Sequence, residues 1–197
     1  GQFYRGITTG LNEAFVIDGA TRAQLIEQDA KSAEIIKPFL RGRDVKRWQV
    51  QPQDLWLIYV PWHFPLHQDP SISGASQKAE KALKAQYPAI FDHLNIFKQD
   101  LSNRNQAETG VRYEWYALQR WGSDYWQEFS KPKIFVPAIE NHVKYASDQT
   151  GFYGNDKTTM IVHNDWRYLL SILNSSVSWW FTRQTFSGKQ GGFFEFK

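Results

Sequence analysis

The densest group of charges in the chain lies between Ile35 and Trp48, in the stretch IIKPFLRGRDVKRW. Five basic side chains stand there against the single carboxylate of Asp44, so the stretch carries +4 while the whole 197-residue chain carries +3. The basic residues are Lys37, Arg41, Arg43, Lys46 and Arg47. Exposed arginine and lysine gain affinity for phosphates by displacing their counterions, so the stretch suits a polyanion. A solvated loop anchored by its aliphatic residues would show the same pattern.

The residues around this stretch predict short helices and strands. Upstream, Ala14 to Ile17 has the β-branched and aromatic composition of a strand, and Thr21 is a good N-cap for helical turns that end at Pro38. Gly42 is expected to let the backbone turn between two arginines. Downstream, residues 54–61 form a continuous apolar run, which predicts a buried strand.

Two helical patterns follow. Residues 77–86 read as a polar helix, and Pro88 suits the first turn of the next one. The second helix carries one apolar stripe with helical spacing, which predicts a face turned to the core: Ile90, Leu94, Phe97 and Leu101.

The second half of the chain reads mainly as strands. Residues 131–139, 158–162 and 193–196 have strand composition, and Asp165 stands where it could cap a helix over residues 166–173. Strands and helices do not alternate regularly. The expected fold class is therefore α+β, a single domain over residues 1–197 with a mixed, largely antiparallel sheet and several packed helices.

Composition excludes several classes of protein. The chain has no cysteine, which rules out disulfides and thiolate metal sites and suits a reducing cytoplasm. No apolar run approaches the length of a membrane span. The sequence contains no Gly-x-Gly dinucleotide fingerprint and no phosphate-binding loop. It also lacks an Asn-Pro-Pro-aromatic tetrapeptide. We therefore expect no catalytic residue in this chain.

Two patterns point weakly to metal. His63 and His67 have helical metal-ligand spacing, but Pro65 between them argues against a helix that carries both. Glu195-x-Lys197 matches the last half of the acidic motif of metal nucleases, a match that is common by chance. We expect no metal ligand.

Five segments in order carry a family resemblance: GITTGLNEAFVID from Gly6, the stretch from Ile35, YEWYALQR from Tyr113, KPKIFVPAI from Lys131 and YLLSILNS from Tyr168. Together they resemble the TaqI-like C-terminal specificity domain, the target-recognition part of adenine-specific DNA methyltransferases. Such domains occur notably in the fused restriction–methylation enzymes of Type IIG and in phage-defence methyltransferases.

The resemblance implies a larger parent protein. Its catalytic domain would lie N-terminal to this chain, bind S-adenosylmethionine and carry the Asn-Pro-Pro-aromatic motif, and magnesium would be needed if the parent cleaves DNA. This chain would hold no cofactor. Its partners would be double-stranded DNA and the parent's own N-terminal methyltransferase domain, with no membrane, in a bacterial or archaeal cytoplasm.

A recognition domain positions itself on phosphates and reads base edges. The expected phosphate contacts are Lys37, Arg41, Arg43, Lys46, Arg47 and Lys189. Arg, Asn and Gln match guanine and adenine edges, and the expected base readers are Arg104, Asn105, Gln106, Arg112, Gln119, Arg120 and Gln190.

Some roles stay open at this point. One arginine of the basic stretch could instead fork onto a guanine. Asp44 could pair a neighbouring arginine as a structural hinge. Glu114 could line the DNA cleft beside Gln119 and Arg120, and the large aromatic side chains of that region read as core: Trp115, Trp121, Trp126 and Phe129.

Three functions compete. The first is recognition of a DNA sequence for a methyltransferase. The second is a docking or structural domain of the same enzyme, whose basic stretch binds the catalytic domain. The third is a metal nuclease fragment built around Glu195 and Lys197.

Overall fold

The computed structural model of the chain describes residues 1–104 and 112–196. The strands of this part are β1 (Gln2–Arg5), β2 (Val16–Asp18), β3 (Ile36–Leu40), β4 (Trp48–Gln49), β5 (Leu55–Ile58), β6 (Lys133–Pro137), β7 (Ile139–Glu140), β8 (Ala146–Asp148), β9 (Tyr153–Gly154), β10 (Thr158–Val162), β11 (Gly188–Lys189) and β12 (Phe193–Glu195).

Helices of the described part lie between these strands. They are α1 (Asn12–Phe15), α2 (Gly19–Gln28), α3 (Ser32–Ile35), α4 (Gln77–Gln86), α5 (Pro88–Ile96), α6 (Lys98–Ser102), α7 (Trp166–Leu173) and α8 (Ser176–Thr185), with 3-10 turns at Gly42–Asp44, Trp126–Ser130 and Gln190–Gly192. Among the residues described, none of the helices has the length and apolar character needed to cross a bilayer.

The backbone divides into two units. The first unit holds residues 1–6, 39–53 and the chain from residue 124 onward, and the second holds residues 7–38 and 54–123. Helices and mixed sheets occur together, so the predicted α+β class is confirmed. That residues 1–197 act as one DNA-recognition domain stays a prediction.

The first unit is built on a five-stranded sheet in the order β1-β10-β6-β8-β4. Its pairs are antiparallel except β4 with β8, which is parallel. A second small sheet, β11-β12-β7, adds the end of the described chain. The core that joins these strands to α7 comprises Ile134, Val136, Val143, Tyr145, Ile161, Trp166, Leu170 and Phe196.

The second unit pairs β5 with β2 on one side and with β3 on the other, both antiparallel. The stripe predicted on the second helix lies in the core: Ile90, Leu94 and Leu101 are buried, and Phe97 is half-buried. The helix predicted over residues 77–86 has those bounds as α4, where the Ser76 hydroxyl accepts from the Ala79 amide at 3.2 Å.

Three local predictions were wrong in detail. Thr21 does not cap a helix, because Asp18 is the N-cap of α2 and its carboxylate accepts from the Thr21 amide at 2.8 Å. Residues 14–17 begin as the last turn of α1, so the strand starts at Val16. Pro38 does not end a helix: α3 ends at Ile35, and Pro38 lies inside β3 opposite Trp56.

A buried ion pair joins β6 to β8 in the first unit. Lys133 and Asp148 are cross-strand partners, and the Lys133 Nζ lies 2.7 Å from the Asp148 Oδ2 with both side chains almost fully buried. Burial lowers the pKa of Lys133, although Asp148 opposes the shift. Burial raises the pKa of Asp148, but Lys133 and the hydrogen bonds from Thr150 outweigh that effect and leave this pKa below its ordinary value.

The two partners differ in what remains when the other is removed. Asp148 also accepts from the Thr150 amide and hydroxyl and from the Phe152 amide. Lys133 otherwise donates to the Phe129 carbonyl at 2.5 Å and, more weakly, to the Lys131 carbonyl at 3.5 Å. We therefore expect Asp148→Ala to lower the free energy of unfolding by about 3–5 kcal/mol and Lys133→Met to lower it by less, in urea titrations. An equal loss in both variants would contradict this account.

The same pair predicts a pH dependence. A carboxyl whose pKa is lowered by folding contributes stability that is present above its unfolded pKa and is lost as the pH falls toward its folded pKa. The difference in unfolding free energy between the wild type and Asp148→Ala should therefore be constant near neutral pH and shrink below about pH 4. A difference that shrinks already between pH 7 and pH 5 would count against the assigned ion pair.

Candidate nucleic-acid interface

Residues 41–47, the basic segment, begin with a turn held by Asp44. The buried Asp44 carboxylate accepts from the Arg41 amide at 2.8 Å and from the Arg41 Nε at 3.3 Å. The turn is a 3-10 helix over Gly42–Asp44. Asp44 therefore pairs with the neighbouring Arg41, which is the pairing expected if Asp44 has a structural role. The same contact orients the Arg41 guanidinium.

The segment closes as a narrow loop. Val45 bridges Val50, and the Gln51 amide donates to the Asp44 carbonyl at 2.8 Å. Trp48 follows with a positive φ of 80° and donates its amide to the Tyr145 carbonyl, which starts the pairing of β4 with β8. The loop is thus tied to the large sheet at its far end.

The cations of this loop face solvent. Arg43, Lys46 and Arg47 are exposed. The Lys46 Nζ donates to the Arg43 carbonyl at 2.7 Å, and the Arg47 Nη2 donates to the Asn174 carbonyl at 2.7 Å while its guanidinium lies over the Trp48 ring. These contacts hold the Lys46 and Arg47 side chains to the surface, and within the described residues none of the three cations pairs with a carboxylate.

Two other predicted phosphate contacts have different surroundings. Lys37 belongs to the second unit and is half-buried, where its Nζ donates to the Glu34 carbonyl at 2.7 Å and burial lowers its pKa. Lys189 lies in β11 and pairs with Glu195 at 2.7 Å. Neither residue lies on the basic segment.

A groove of about 460 Å³ runs beside the turn of the basic segment, inside the first unit. Gly42 forms part of the groove. Glycine is required there because the backbone of Lys157 lies so close that a Cβ at position 42 would be 2.9 Å from the Lys157 carbonyl oxygen. A positive φ is not required at Gly42. The groove is lined by Arg41, Gly42, Arg43, Pro137, Ala138, Ile139, Glu140, Asn155 and Lys157.

Sequence reasoning missed Glu140, Asn155 and Lys157. They lie on two segments that β-pairing brings to the turn: the Asn155 amide donates to the Leu40 carbonyl and the Ala138 amide to the Lys157 carbonyl. A single sequence gives no signal for this proximity, since it depends on strand order.

Arg104, expected to read a base, lies in the interior of the second unit. Its Nε donates to the Leu101 carbonyl, its Nη1 to the Thr9 carbonyl and its Nη2 to the Trp115 and Ala117 carbonyls, at 2.6–3.0 Å. The guanidinium also lies over the Phe15 and Tyr113 rings, and burial lowers its pKa. This arginine ties three segments of backbone together.

The other predicted base readers divide by exposure. Arg112, Arg120 and Gln190 are exposed, and the Arg120 backbone pairs with Thr8. Gln119 is buried. Asn105 and Gln106 lie outside the described residues.

Glu114, expected beside the DNA cleft, is buried. Its carboxylate accepts from the His63 amide at 2.8 Å, the His63 Nδ1 at 2.9 Å and the Ser76 amide at 3.0 Å. That geometry organises a loop. Of the aromatic side chains predicted as core, Phe129 is buried and the three tryptophans are half-buried.

The described residues contain no cluster of three or more His, Asp or Glu side chains that could hold a metal ion. Glu195 is engaged by Lys189, and Lys197 lies outside the described part.

The chain belongs to the family of TaqI-like C-terminal specificity domains, whose family model matches residues 37–197. Among solved structures it is similar to the Type IIL restriction-modification enzyme MmeI in complex with DNA, with a TM-score of 0.62 and 12% sequence identity. The match covers 100% of this chain and 23% of the MmeI chain, so this chain spans less than a quarter of that enzyme. No curated protein matches the chain.

The environment of Arg104 predicts a structural role that can be separated from DNA contact. Arg104→Ala removes four hydrogen bonds from a charged donor to buried carbonyls, so we expect it to lower the free energy of unfolding by about 3 kcal/mol or more. Arg112→Ala, the matched control on an exposed side chain, should change it by no more than about 0.5 kcal/mol. Thermal and urea denaturation measure both, and a stable Arg104→Ala variant would contradict the assignment.

Proposed function

We propose that this chain recognises a sequence in double-stranded DNA, as the specificity part of an adenine-specific DNA methyltransferase or a fused restriction-modification enzyme of Type IIG. The observation that carries the proposal is membership of the TaqI-like specificity domains over residues 37–197, a range that includes the whole basic segment. The exposed cations of that segment supply the chemistry that DNA binding needs.

Phosphate contact is the first task of such a domain. Arg43, Lys46 and Arg47 are exposed on one short loop that is fixed at both ends, so little backbone order has to be gained on binding. Lys189 and Lys37 are weaker candidates, because one is paired with Glu195 and the other is half-buried.

Base reading is the second task. Among the residues predicted for it, Arg112, Arg120 and Gln190 have exposed side chains, which supports them as candidates for base contact. Arg104 and Gln119 support the second unit from within. Asn105 and Gln106 keep their predicted role.

Catalysis would belong to the rest of the parent enzyme. In this proposal a separate methyltransferase domain binds S-adenosylmethionine, magnesium is required only if the parent cleaves DNA, and the protein acts in a bacterial or archaeal cytoplasm. This chain then contributes position and sequence choice and performs no chemical step.

A second candidate function, docking to another protein, has one observation in its favour. Large apolar side chains of α7 and α8 are exposed, and such surfaces often mark protein interfaces. They are Tyr168, Ile172, Val177, Trp180 and Phe181. Docking to the parent's methyltransferase domain and DNA binding are compatible, since the apolar side chains and the basic segment are different residues.

The salt dependence of DNA binding tests the proposal. Each phosphate contact contributes about 0.9 to the slope of log affinity against log salt concentration. Replacing both Arg43 and Lys46 by Gln should therefore weaken binding to every duplex sequence and reduce the slope by about 2, measured by fluorescence anisotropy between 50 and 200 mM salt. The control is Lys81→Gln on α4, an exposed lysine outside the basic segment, which should leave the slope unchanged.

Two results would count against it. If the chain binds no duplex even at the lowest salt, DNA recognition by this chain is excluded and docking becomes the better proposal. If the double variant and Lys81→Gln reduce the slope equally, the charge acts diffusely and the basic segment has no special role.

A further inference from the structure

The groove beside the basic segment contains three kinds of chemistry. Arg41, Arg43 and Lys157 are cationic, Glu140 is a carboxylate, and Pro137 and Ile139 are apolar. Cations alone would suit a phosphate. A carboxylate repels a phosphate, and apolar side chains add nothing to its binding, so this lining has a composition that a phosphate site would not require.

One acceptor in the groove suits a ligand that donates hydrogen bonds. The Glu140 Oε2 accepts from the Lys144 Nζ at 2.6 Å, and a carboxylate has lone pairs for further donors on its other oxygen. Phosphate oxygens are acceptors and cannot donate to this carboxylate, whereas the exocyclic amino group of a base can. The Asn155 Oδ1 has no hydrogen-bond partner among the residues that the structure describes, but it is too deeply buried for a ligand in the groove to reach.

Arg41 is held ready for two acceptors. Its Nε is taken by Asp44, and within the described residues neither Nη1 nor Nη2 has a partner. An arginine oriented by a buried carboxylate loses less side-chain entropy when it binds, and its two Nη groups form a fork. Guanine O6 and N7 are adjacent acceptors that match such a fork.

Taken together, these groups complement one base pair. In the major groove a G·C pair presents the O6 and N7 acceptors of guanine and the N4 amino donor of cytosine, for which Glu is a suitable acceptor. An A·T pair offers no two adjacent acceptors on one base for the arginine fork. The match therefore favours G·C.

We propose, resting on the proposed DNA-binding function, that this groove reads one G·C base pair, with Arg41 on guanine, Glu140 on cytosine, and Arg43 on a flanking phosphate. This assigns Arg41 to base reading, the alternative to its expected phosphate contact. Asp44 is a positioning residue, since it acts through Arg41. Glu140 acquires a role that its sequence context did not indicate, while Lys157, which pairs with Asp156 at 3.1 Å, only lines the groove.

Selection from a randomised duplex pool, followed by sequencing, tests the proposal on the whole 197-residue chain. Two variants are used. Glu140→Gln keeps the size of the side chain but removes the carboxylate, and Arg41→Lys keeps the positive charge but removes the guanidinium fork. The matched control is Lys131→Gln, an exposed lysine of the first unit that pairs with Glu128 away from the groove. Circular dichroism melts establish that each variant is folded, and Glu140→Gln tests the groove even if Arg41→Lys is unstable.

The expected result is a wild-type site with one invariant G·C pair, whose preference falls about tenfold or more in both variants while other positions keep theirs, with Lys131→Gln unchanged. Equal weakening of all sites by both variants would overturn the proposal, because it identifies backbone contact. A selected site that lacks an invariant G·C pair, or DNA binding without any selected site, would overturn it too and leave DNA binding intact. A wild-type chain that binds no DNA would remove the proposed function itself.

Discussion

The buried ion pair of Lys133 and Asp148 supports both sides of the groove. Lys133 opens β6, and the same strand runs on to Pro137 and the Glu140 side of the groove. Asp148 closes β8, whose parallel partner β4 directly follows the basic segment. A cross-strand pair with a single geometry fixes the register of β6 against β8, because a slip of one residue would leave two charges buried without partners. The relative position of Arg41 and Glu140 depends on that register.

Arginines show how burial separates structural from binding roles in this chain. Arg104 donates to four backbone carbonyls. Burying its charge costs desolvation free energy, which these hydrogen bonds offset only because the surrounding interior holds all four carbonyls in place. Arg43 keeps its side chain in solvent, where its charge carries no cost of burial. Arg41 lies between these cases, since one nitrogen is committed to Asp44 and the rest of the fork is available. An arginine oriented through one nitrogen loses less side-chain entropy when its remaining donors bind.

Local signals were enough for much of the fold. The helix at residues 77–86 follows from a capping serine and a helical polar pattern, and the strand at residues 158–162 follows from its composition; both have the predicted bounds. Pro38 was misjudged because tertiary pairing overrode the local rule. Position 38 of β3 needs no backbone N–H for pairing with β5, so a proline is tolerated there. Thr21 was misjudged by one turn, since Asp18 offers the stronger acceptor to the same helix end.

The candidate site was less predictable because it is assembled from distant segments. Charge density is visible in the sequence, and three cations of the basic segment it pointed to are exposed, while their contact with phosphate stays a prediction. The polar residues next to Arg104 in sequence suggested an exposed loop. In the structure its side chain instead donates to backbone carbonyls of Thr9 and Ala117. The sequence around Glu140 and Lys157 contains no motif that marks them as site residues. Only the order of the strands brings them beside Gly42, where a Cβ would meet the Lys157 carbonyl.

This division has a physical consequence for specificity. Cations on a loop bind any duplex, because every phosphate looks alike, and they add little discrimination. Discrimination needs acceptors and donors held at fixed distances, which segments anchored to a sheet supply more readily than a free loop. A site that places Arg41 on a held turn opposite Glu140 on β7 draws its two halves from segments that the large sheet constrains. In the proposed site, a substitution in the loop would change affinity and a substitution in β7 would change base choice, and neither would touch the ion pair that supports both.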